Sequence, residues 1–179
     1  YFKNINKSTK PINEIKNLIK NKKINEQILF NKDSRSLFHM VKYEQLFLHI
    51  KSKVTSSKNI SFKYYKRDSE LNNLVDDNKF TLIINCENSN ILTKKYLKKA
   101  FFKNYRNKAF TTIIKHSKLK NNSATQIFTS DGPLAFLPLS DTSTSVVYSL
   151  EINEKRNINE KDVLKKIKHF NSIYKKISF

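Results

Sequence analysis

Two short stretches of the sequence carry the residue types that could take part in chemistry. The first follows an apolar run at residues 80–86 and reads Glu87-Asn88-Ser89-Asn90, with Lys94 about one helical turn further on. Small polar residues directly after a buried strand are where α/β folds place ligands. The second stretch, residues 131–139, reads DGPLAFLPL and contains the only glycine, Gly132, and two of the three prolines. Glycine and proline among apolar residues indicate a special backbone path.

Several kinds of active site are excluded within these 179 residues. With one glycine, the chain contains neither GxGxxG nor GxxxxGK[ST], the loops that bind dinucleotides and nucleoside triphosphates. It also lacks HExxH and GxSxG. Cys86 is the only cysteine and the four histidines are scattered, so the sequence predicts neither an internal disulfide nor a metal site. An enzyme that contains this chain must take part of its active site from elsewhere.

The formal net charge of +20 invites a second interpretation, a module that binds nucleic acid or an anionic surface. Lysine supplies 31 of the cationic residues and arginine only 4, and the lysines are spread along the whole chain. Arginine is the residue better suited to bidentate phosphate and base contacts. The frequent Lys, Asn and Ile are also typical of an AT-rich genome. The basic module stays open as an alternative, as does a non-catalytic α+β interaction domain.

The stretch around Gly132 lies within a predicted antiparallel sheet. Runs rich in β-branched and aromatic residues predict four strands in a meander, at residues 109–116, 123–129, 134–139 and 143–151. The turns between them fall at residues 118–122, 130–133 and 140–142, each with a composition that suits a hairpin. An apolar stripe at residues 160–178, preceded by Asn159 as N-cap, predicts a helix that covers this sheet.

The first part of the chain is a mixture of shorter elements. Its periodicity predicts edge-like strands at residues 12–16 and 24–30 with a turn at 20–23, a helix at 41–54, a strand at 60–66, a polar loop with one helical turn at 67–78, a strand buried on both faces at 80–86 and a short helix at 93–99. The predicted fold class is therefore α+β, with a possible α/β portion in the middle of the chain.

Three parts of the sequence, within residues 123–150, 82–94 and 37–41, resemble the flavin-dependent aromatic hydroxylases of ubiquinone biosynthesis. SATQIF at residues 123–128, GPLAFLPL at 132–139 and TSVVYSL at 144–150 are similar to that family's "TAxQxF…GPLAxLPL…SxVW" run. Residues 82–94, LIINCENSNILTK, are similar to its "LxxxADGANSxxR" segment. LFHMV at residues 37–41 is similar to "LGYxVxN". The resemblance covers roughly residues 12–179, and the GPLAFLPL run is its most specific part.

The segment at residues 82–94 departs from the family pattern. The Asp-Gly pair is Glu87-Asn88 here, the serine falls on Ile91, and the arginine is Lys94, whereas Asn90 is unchanged. Asn88 tolerates the left-handed backbone that glycine would adopt. Lys94 keeps the charge but loses the planar fork of arginine.

The resemblance implies a fold, cofactors and site residues. Residues 1–40 and 100–179 would form the substrate-domain sheet with its C-terminal helix, and residues 41–99 would form a piece of a Rossmann-like FAD-binding domain. The implied activity is a monooxygenase in which NAD(P)H reduces FAD and O₂ supplies the oxygen that hydroxylates a prenylated phenol. The implied cofactor-binding residues are Glu87, Asn88, Asn90 and Lys94, and the implied substrate-pocket residues are Gly132, Pro133, Ala135, Phe136 and Leu137, with Gly132 letting the backbone approach the flavin edge.

The resemblance also implies what surrounds the chain. The GxGxxG segment of the family should precede Tyr1 and its second flavin motif should follow Phe179, so we expect an internal fragment that is inactive alone. The single cysteine indicates a cytoplasmic location. A prenylated substrate leads us to expect peripheral contact with the inner membrane and with partner proteins of ubiquinone biosynthesis, and we expect no nucleic acid.

Overall fold

The computed structural model describes residues 9–20, 25–31, 36–76, 80–87, 89–96, 103–151 and 159–179. Within these ranges the chain has mixed α+β content, which confirms the α+β part of the predicted fold class. The elements in chain order are β1 (Lys10–Ile12), β2 (Glu14–Lys20), β3 (Asn25–Asn31), β4 (Phe38–Met40), α1 (Tyr43–Thr55), α2 (Asp68–Asp76), α3 (Ile91–Tyr96), β5 (Asn107–Lys115), β6 (Ser123–Thr129), β7 (Gly132–Ser140), β8 (Ser143–Glu151) and α4 (Glu160–Phe170). The chain divides into two compact units, residues 1–53 with 105–179, and residues 54–104.

The first unit is built on a six-stranded sheet with the order β3-β2-β6-β7-β8-β5. The hairpins β6–β7 and β7–β8 form as predicted. The prediction that β5 pairs with β6 is wrong, because β5 pairs antiparallel with β8 at the far side of the sheet. The segment predicted as a hairpin turn at 118–122 instead runs across the ends of the strands, where Leu119 N donates to Asp141 O at 3.0 Å. Turn composition alone does not distinguish a hairpin from such a connection.

One face of this sheet carries the hydrophobic core. Alternate residues of β7 and β8 are fully buried there, among them Phe136 and Tyr148, and Val163 and Ile167 of α4 pack against them. Period-2 burial along a strand and helical spacing along α4 are what a two-layer arrangement of one sheet and one helix requires. The predicted covering helix is therefore confirmed. We call the opposite side of the sheet the outer face.

Helix α4 starts where the sequence predicts and ends earlier. Asn159 is the N-cap, and its Oδ1 accepts a hydrogen bond from Asp162 N at 2.9 Å. The predicted helix extends to residue 178, whereas α4 ends at Phe170. Asn171 ends it, since its Oδ1 accepts from Ile173 N and Tyr174 N while its Nδ2 donates to Tyr174 O. Side-chain bonds of this kind compete with the helical backbone pattern.

The N-terminal strands complete the first unit. β2 pairs with β3 antiparallel and with β6 parallel, so β2 is not the edge strand that we predicted. The predicted turn at 20–23 lies mostly outside the described residues. β1 and β4, which the sequence did not predict, form a separate two-stranded sheet near β7. Lys10 Nζ donates to Asp141 Oδ1 at 2.5 Å, and this ion pair lowers the pKa of the Asp141 carboxyl.

The second unit contains α2 and α3, which contact each other. The predicted strands at 60–66 and 80–86 are not assigned as strands there, and no strand partner for them lies among the described residues. The prediction that 80–86 is buried on both faces is wrong, because Leu82 is 74% and Ile84 77% exposed. Burial of such a run requires paired strands and covering helices, and the described part of this unit supplies neither.

Helix α1 confirms the predicted helix at 41–54 in position, although none of its described residues is buried. Phe47 and Ile50 are about half exposed, whereas Leu46 and Val54 are half-buried, so the described residues cover its apolar stripe only in part. Among the described residues, no helix is long and apolar enough to cross a membrane.

A buried chain of hydrogen bonds ties the C-terminal segment to the sheet. Tyr174 Oη donates to Asn121 Oδ1 at 3.0 Å, and Asn121 Nδ2 donates to Thr144 Oγ1 at 2.9 Å. Thr144 Oγ1 lies 3.0 Å from His116 Nε2, and the His116 ring is 4.3 Å from the ring of Tyr174. Each of these side chains is buried, so the bonds offset the cost of removing their polar atoms from water.

The buried phenol of Tyr174 makes the stability of this unit depend on pH. Burial raises the pKa of Tyr174 above its ordinary value of 10.0. Above that pH the unfolded chain loses the tyrosine proton before the folded chain does, so the contribution is intact below pH 10 and is lost as the pH rises through the folded pKa. We expect the free energy of unfolding to fall above pH 10, and the Tyr174→Phe variant to show a shallower fall. Urea denaturation of both chains between pH 8 and 11 measures this difference, and parallel curves would contradict it.

Candidate apolar site on the outer face of the sheet

A small cavity of about 180 Å³ lies on the outer face. It is formed by strands β2, β4, β6 and β7, all within the first unit, and its lining residues are Ile15, Phe38, Ala124, Thr125, Gln126, Ala135 and Leu137. We call it the β6–β7 cavity. Most of this lining is apolar, which is the usual character of a small-molecule site.

The strand register explains why these residues meet. Ile15 of β2 pairs with Ala124 of β6, and Gln126 of β6 pairs with Ala135 of β7. Paired residues share one face of a sheet, and residues two apart along a strand share it too. Phe38, on the neighbouring β4, completes the lining. The cavity therefore lies between the six-stranded sheet and the small sheet.

Gln126 gives this cavity its polar group. Thr125 also contributes to the lining, but its position in the alternation of β6 places its side chain toward the core. The Gln126 amide forms no hydrogen bond to the residues that the structure describes. A primary amide offers two donors and one acceptor, so Gln126 can bond either a hydroxyl or a carbonyl of a ligand.

The predicted pocket residues fall on both faces of the sheet. Ala135 and Leu137 line the cavity, and Pro133 is exposed at the start of the same strand. Phe136 lies on the opposite face, fully buried, with its ring 5.7 Å from that of Tyr174. Because neighbouring residues of a strand point to opposite faces, the side chains of Ala135, Phe136 and Leu137 cannot all point into one pocket. Phe136 is a core residue.

Gly132 has a structural reason that differs from the predicted one. Its φ is +137°, and a Cβ added there would lie 2.1 Å from the carbonyl oxygen of Ser149 on β8. That separation is far below van der Waals contact. The residue is glycine because of the close approach of β8 and the backbone conformation, and an approach to a flavin is not needed to explain it.

Two of the predicted cofactor-binding residues, Glu87 and Asn90, belong to a compact polar network in the second unit. Asn90 Oδ1 accepts from Thr93 N at 3.0 Å, and Asn90 Nδ2 donates to Asn85 Oδ1 at 2.8 Å. Thr93 Oγ1 donates to Glu87 O at 2.5 Å, while Ser89 Oγ donates to the Glu87 carboxylate at 3.1 Å. Asparagine and serine side chains commonly hold turns before helices in this way.

This polar network brings two of the four predicted residues together. Glu87 and Asn90 belong to the network, whereas Lys94 is exposed on α3 and Asn88 lies outside the described residues. The network uses both polar atoms of the Asn90 side chain and one carboxylate oxygen of Glu87. The pocket residues of Gly132–Ser140 and this polar network belong to different units.

Sequence reasoning missed Ile15, Phe38 and Gln126 as members of the site. A signal was present for Gln126, because it stands between Ala124 and Phe128 in a strand of alternating character and would share a face with Ala135 once β6 and β7 pair. No such signal existed for Ile15 and Phe38, which reach the site through pairings distant in sequence.

Comparisons with known proteins found no matching family model and no matching curated protein. Among the described residues, no group of three or more His, Cys, Asp or Glu side chains lies close enough to hold a metal ion. The interpretation of the site therefore depends on its own geometry and on the sequence resemblance.

Proposed function

We propose that this chain forms the substrate-domain sheet and part of the flavin domain of an FAD-dependent monooxygenase that hydroxylates a prenylated phenol in ubiquinone biosynthesis. The observation that carries the proposal is the β6–β7 cavity. It is lined by Ala135 and Leu137 of the GPLAFLPL run, the most specific part of the resemblance. A mostly apolar hollow with the amide of Gln126 in its lining suits an aromatic ring with one polar substituent.

A polar network in the second unit supports the proposed contact with part of FAD. The Thr93 hydroxyl and backbone N–H are bonded to the side chains of Asn85 and Asn90, and the exposed Lys94 next to Thr93 would offer a cation. A glycine-rich loop for the ADP portion is absent from these 179 residues. The ADP portion must therefore bind to other residues of the enzyme.

Each part of the chain has a defined task in this proposal. Bound FAD, reduced by NAD(P)H, would supply the activated oxygen. Ala135, Leu137 and Phe38 would exclude water around the ring, and Gln126 would orient it. The polar network would contact the flavin from its own unit, with Glu87 fixing its conformation through Ser89.

Two other classes of function make different demands on the structure. A non-catalytic interaction domain needs no concave site, and the β6–β7 cavity argues against it. The runner-up is a module for anionic surfaces, and one observation favours it. Helix α1 exposes Tyr43 and Phe47 next to Lys51, whose Nζ lies 5.9 Å from the Phe47 ring centre. Exposed aromatic rings beside lysine are typical of such surfaces.

The function is tested with the enzyme that contains this chain, expressed in cells that lack a ring hydroxylase of ubiquinone biosynthesis. We expect Leu137→Asp to reduce the hydroxylated product at least about tenfold, because a charge in the apolar cavity is costly to desolvate. Ile113→Asp is the matched control. It lies on the outer face of β5, is 55% exposed and does not line the cavity. Mass spectrometry of the quinone precursors measures both effects.

Two results would contradict the proposal. One is an enzyme that purifies without flavin and restores no hydroxylation. The other is equal loss of product in the Leu137 and Ile113 variants, which would show that the effect does not depend on the cavity. Binding to anionic vesicles that weakens steeply with added salt, in a protein without flavin, would support the runner-up instead.

A further inference from the structure

We infer that the β6–β7 cavity is a binding site for a single six-membered aromatic ring and that Gln126 recognises a hydroxyl group on that ring. The identity of the ligand as a phenol rests on the proposed function, whereas the size of the ligand and the role of Gln126 rest on the cavity itself. Gln126 would then be a positioning residue, which contacts the substrate and takes no part in the transfer of oxygen.

The volume of the cavity sets the size of its ligand. An apolar protein cavity of ~150 Å³ stays dry and binds benzene. The β6–β7 cavity measures about 180 Å³, so its volume matches one substituted ring. The lining favours an aromatic ring, since Ile15, Leu137 and the Phe38 ring are all apolar.

The position of the amide selects the substituent. Gln126 lies between Asn17 of β2 and Ala135 of β7 in the register of the sheet, so its side chain shares the outer face with Ala135 and lines the cavity. The residue is partly buried, and its amide has no hydrogen bond to the described residues. A ring that enters without a polar group would leave this amide without water and without a partner. A phenol instead donates its O–H to Gln126 Oε1.

The test compares p-cresol with toluene, which has the same ring and methyl group and lacks the hydroxyl. We expect the full chain to bind p-cresol about fivefold more tightly, because one net hydrogen bond contributes ~1 kcal/mol. NMR titration at millimolar probe concentration measures both affinities. The perturbed signals should be the Gln126 side-chain amide and the backbone amides of Ala135 and Leu137.

The Gln126→Leu variant should bind both probes equally and toluene at least as well as the native chain does. Asn17→Leu is the matched control, since Asn17 pairs with Gln126 in the neighbouring strand and does not line the cavity, and it should keep the preference for p-cresol. Equal affinities in the native chain would overturn the role of Gln126. Probes that perturb signals elsewhere, or none at all, would overturn the site.

This result is distinguishable from that of the proposed function. Selective binding of p-cresol with no flavin-dependent hydroxylation in cells would retain the ring site and remove the monooxygenase. Hydroxylation that falls in the Leu137→Asp variant, together with a native chain that binds both probes equally, would retain the monooxygenase and remove the role of Gln126.

Discussion

Replacing Phe136 by alanine should lower the free energy of unfolding of the sheet by about 4 kcal/mol. The Phe136 side chain is fully buried. It packs with Tyr174 and Val146 in the cluster between the sheet and α4. Truncation there loses buried apolar area and leaves a cavity that the surrounding side chains fill only in part. Native-state hydrogen exchange of the β7 and β8 amides measures this loss and reports on the first unit alone.

Phe128→Ala is the matched control for this prediction. Phe128 lies on the outer face of the neighbouring strand and is 43% exposed, so we expect a cost below about 1 kcal/mol. Similar costs in the two variants would show that the two faces of the sheet are assigned wrongly. If Phe136 lined a ligand pocket instead, its truncation would weaken binding of p-cresol and leave the exchange rates nearly unchanged.

The second large effect is expected from Gly132→Ala, with a loss of about 3 kcal/mol. Two causes act together. The φ of +137° is a conformation that alanine rarely adopts, and the new methyl group would meet the backbone oxygen of Ser149 at 2.1 Å. A backbone atom in the middle of a paired strand cannot move aside as the end of a flexible side chain could. The variant should therefore distort the start of β7 and its pairing with β8.

Thermal unfolding followed by circular dichroism, together with hydrogen exchange of β7 and β8, tests the Gly132 prediction. Pro133→Ala serves as its control, because Pro133 is exposed and adjacent, and it should change stability by roughly 0.5 kcal/mol or less. A Gly132→Ala chain as stable as the native one would mean that β8 does not approach so closely. The glycine would then be free to serve a ligand.

The sequence predicted the elements of the sheet well and the sides of its residues poorly. Strands β6 and β8 match their predicted bounds, because β-branched and aromatic residues mark them and turn residues bound them. The predicted pocket treats the run GPLAFLPL as one surface. Because side chains alternate along a strand, Leu134 and Phe136 instead face the core, whereas Ala135 and Leu137 line the cavity. The sequence shows this alternation. It does not show which strands pair, and therefore not which set of residues faces the core.

Other features could not be predicted because they depend on contacts distant in sequence. The placement of β5 beside β8 and of β2 beside β6 is set by which pairing buries the core, and local propensity carries no information about this choice. The run at residues 80–86 shows that strand-like composition alone does not determine burial. Its composition is typical of a buried strand, yet Leu82 and Ile84 are exposed, because burial also requires neighbours that the described residues of that unit do not provide.

The parallel pairing of β2 with β6 has a consequence for the nascent chain. Glu14 and Ser123 are register partners although roughly 110 residues separate them, with the whole of the second unit in between. At a translation rate of ~5–20 residues per second, the ribosome completes the β2–β3 hairpin roughly 5 to 18 s before it begins strand β6. During that interval the edge of β2 that later pairs with β6 has no partner. Ile28 and Phe30 of the same hairpin are about half exposed even in the folded protein. An unpaired strand edge is a template for pairing with another chain, so the nascent hairpin is most open to aggregation before any part of the GPLAFLPL strand exists.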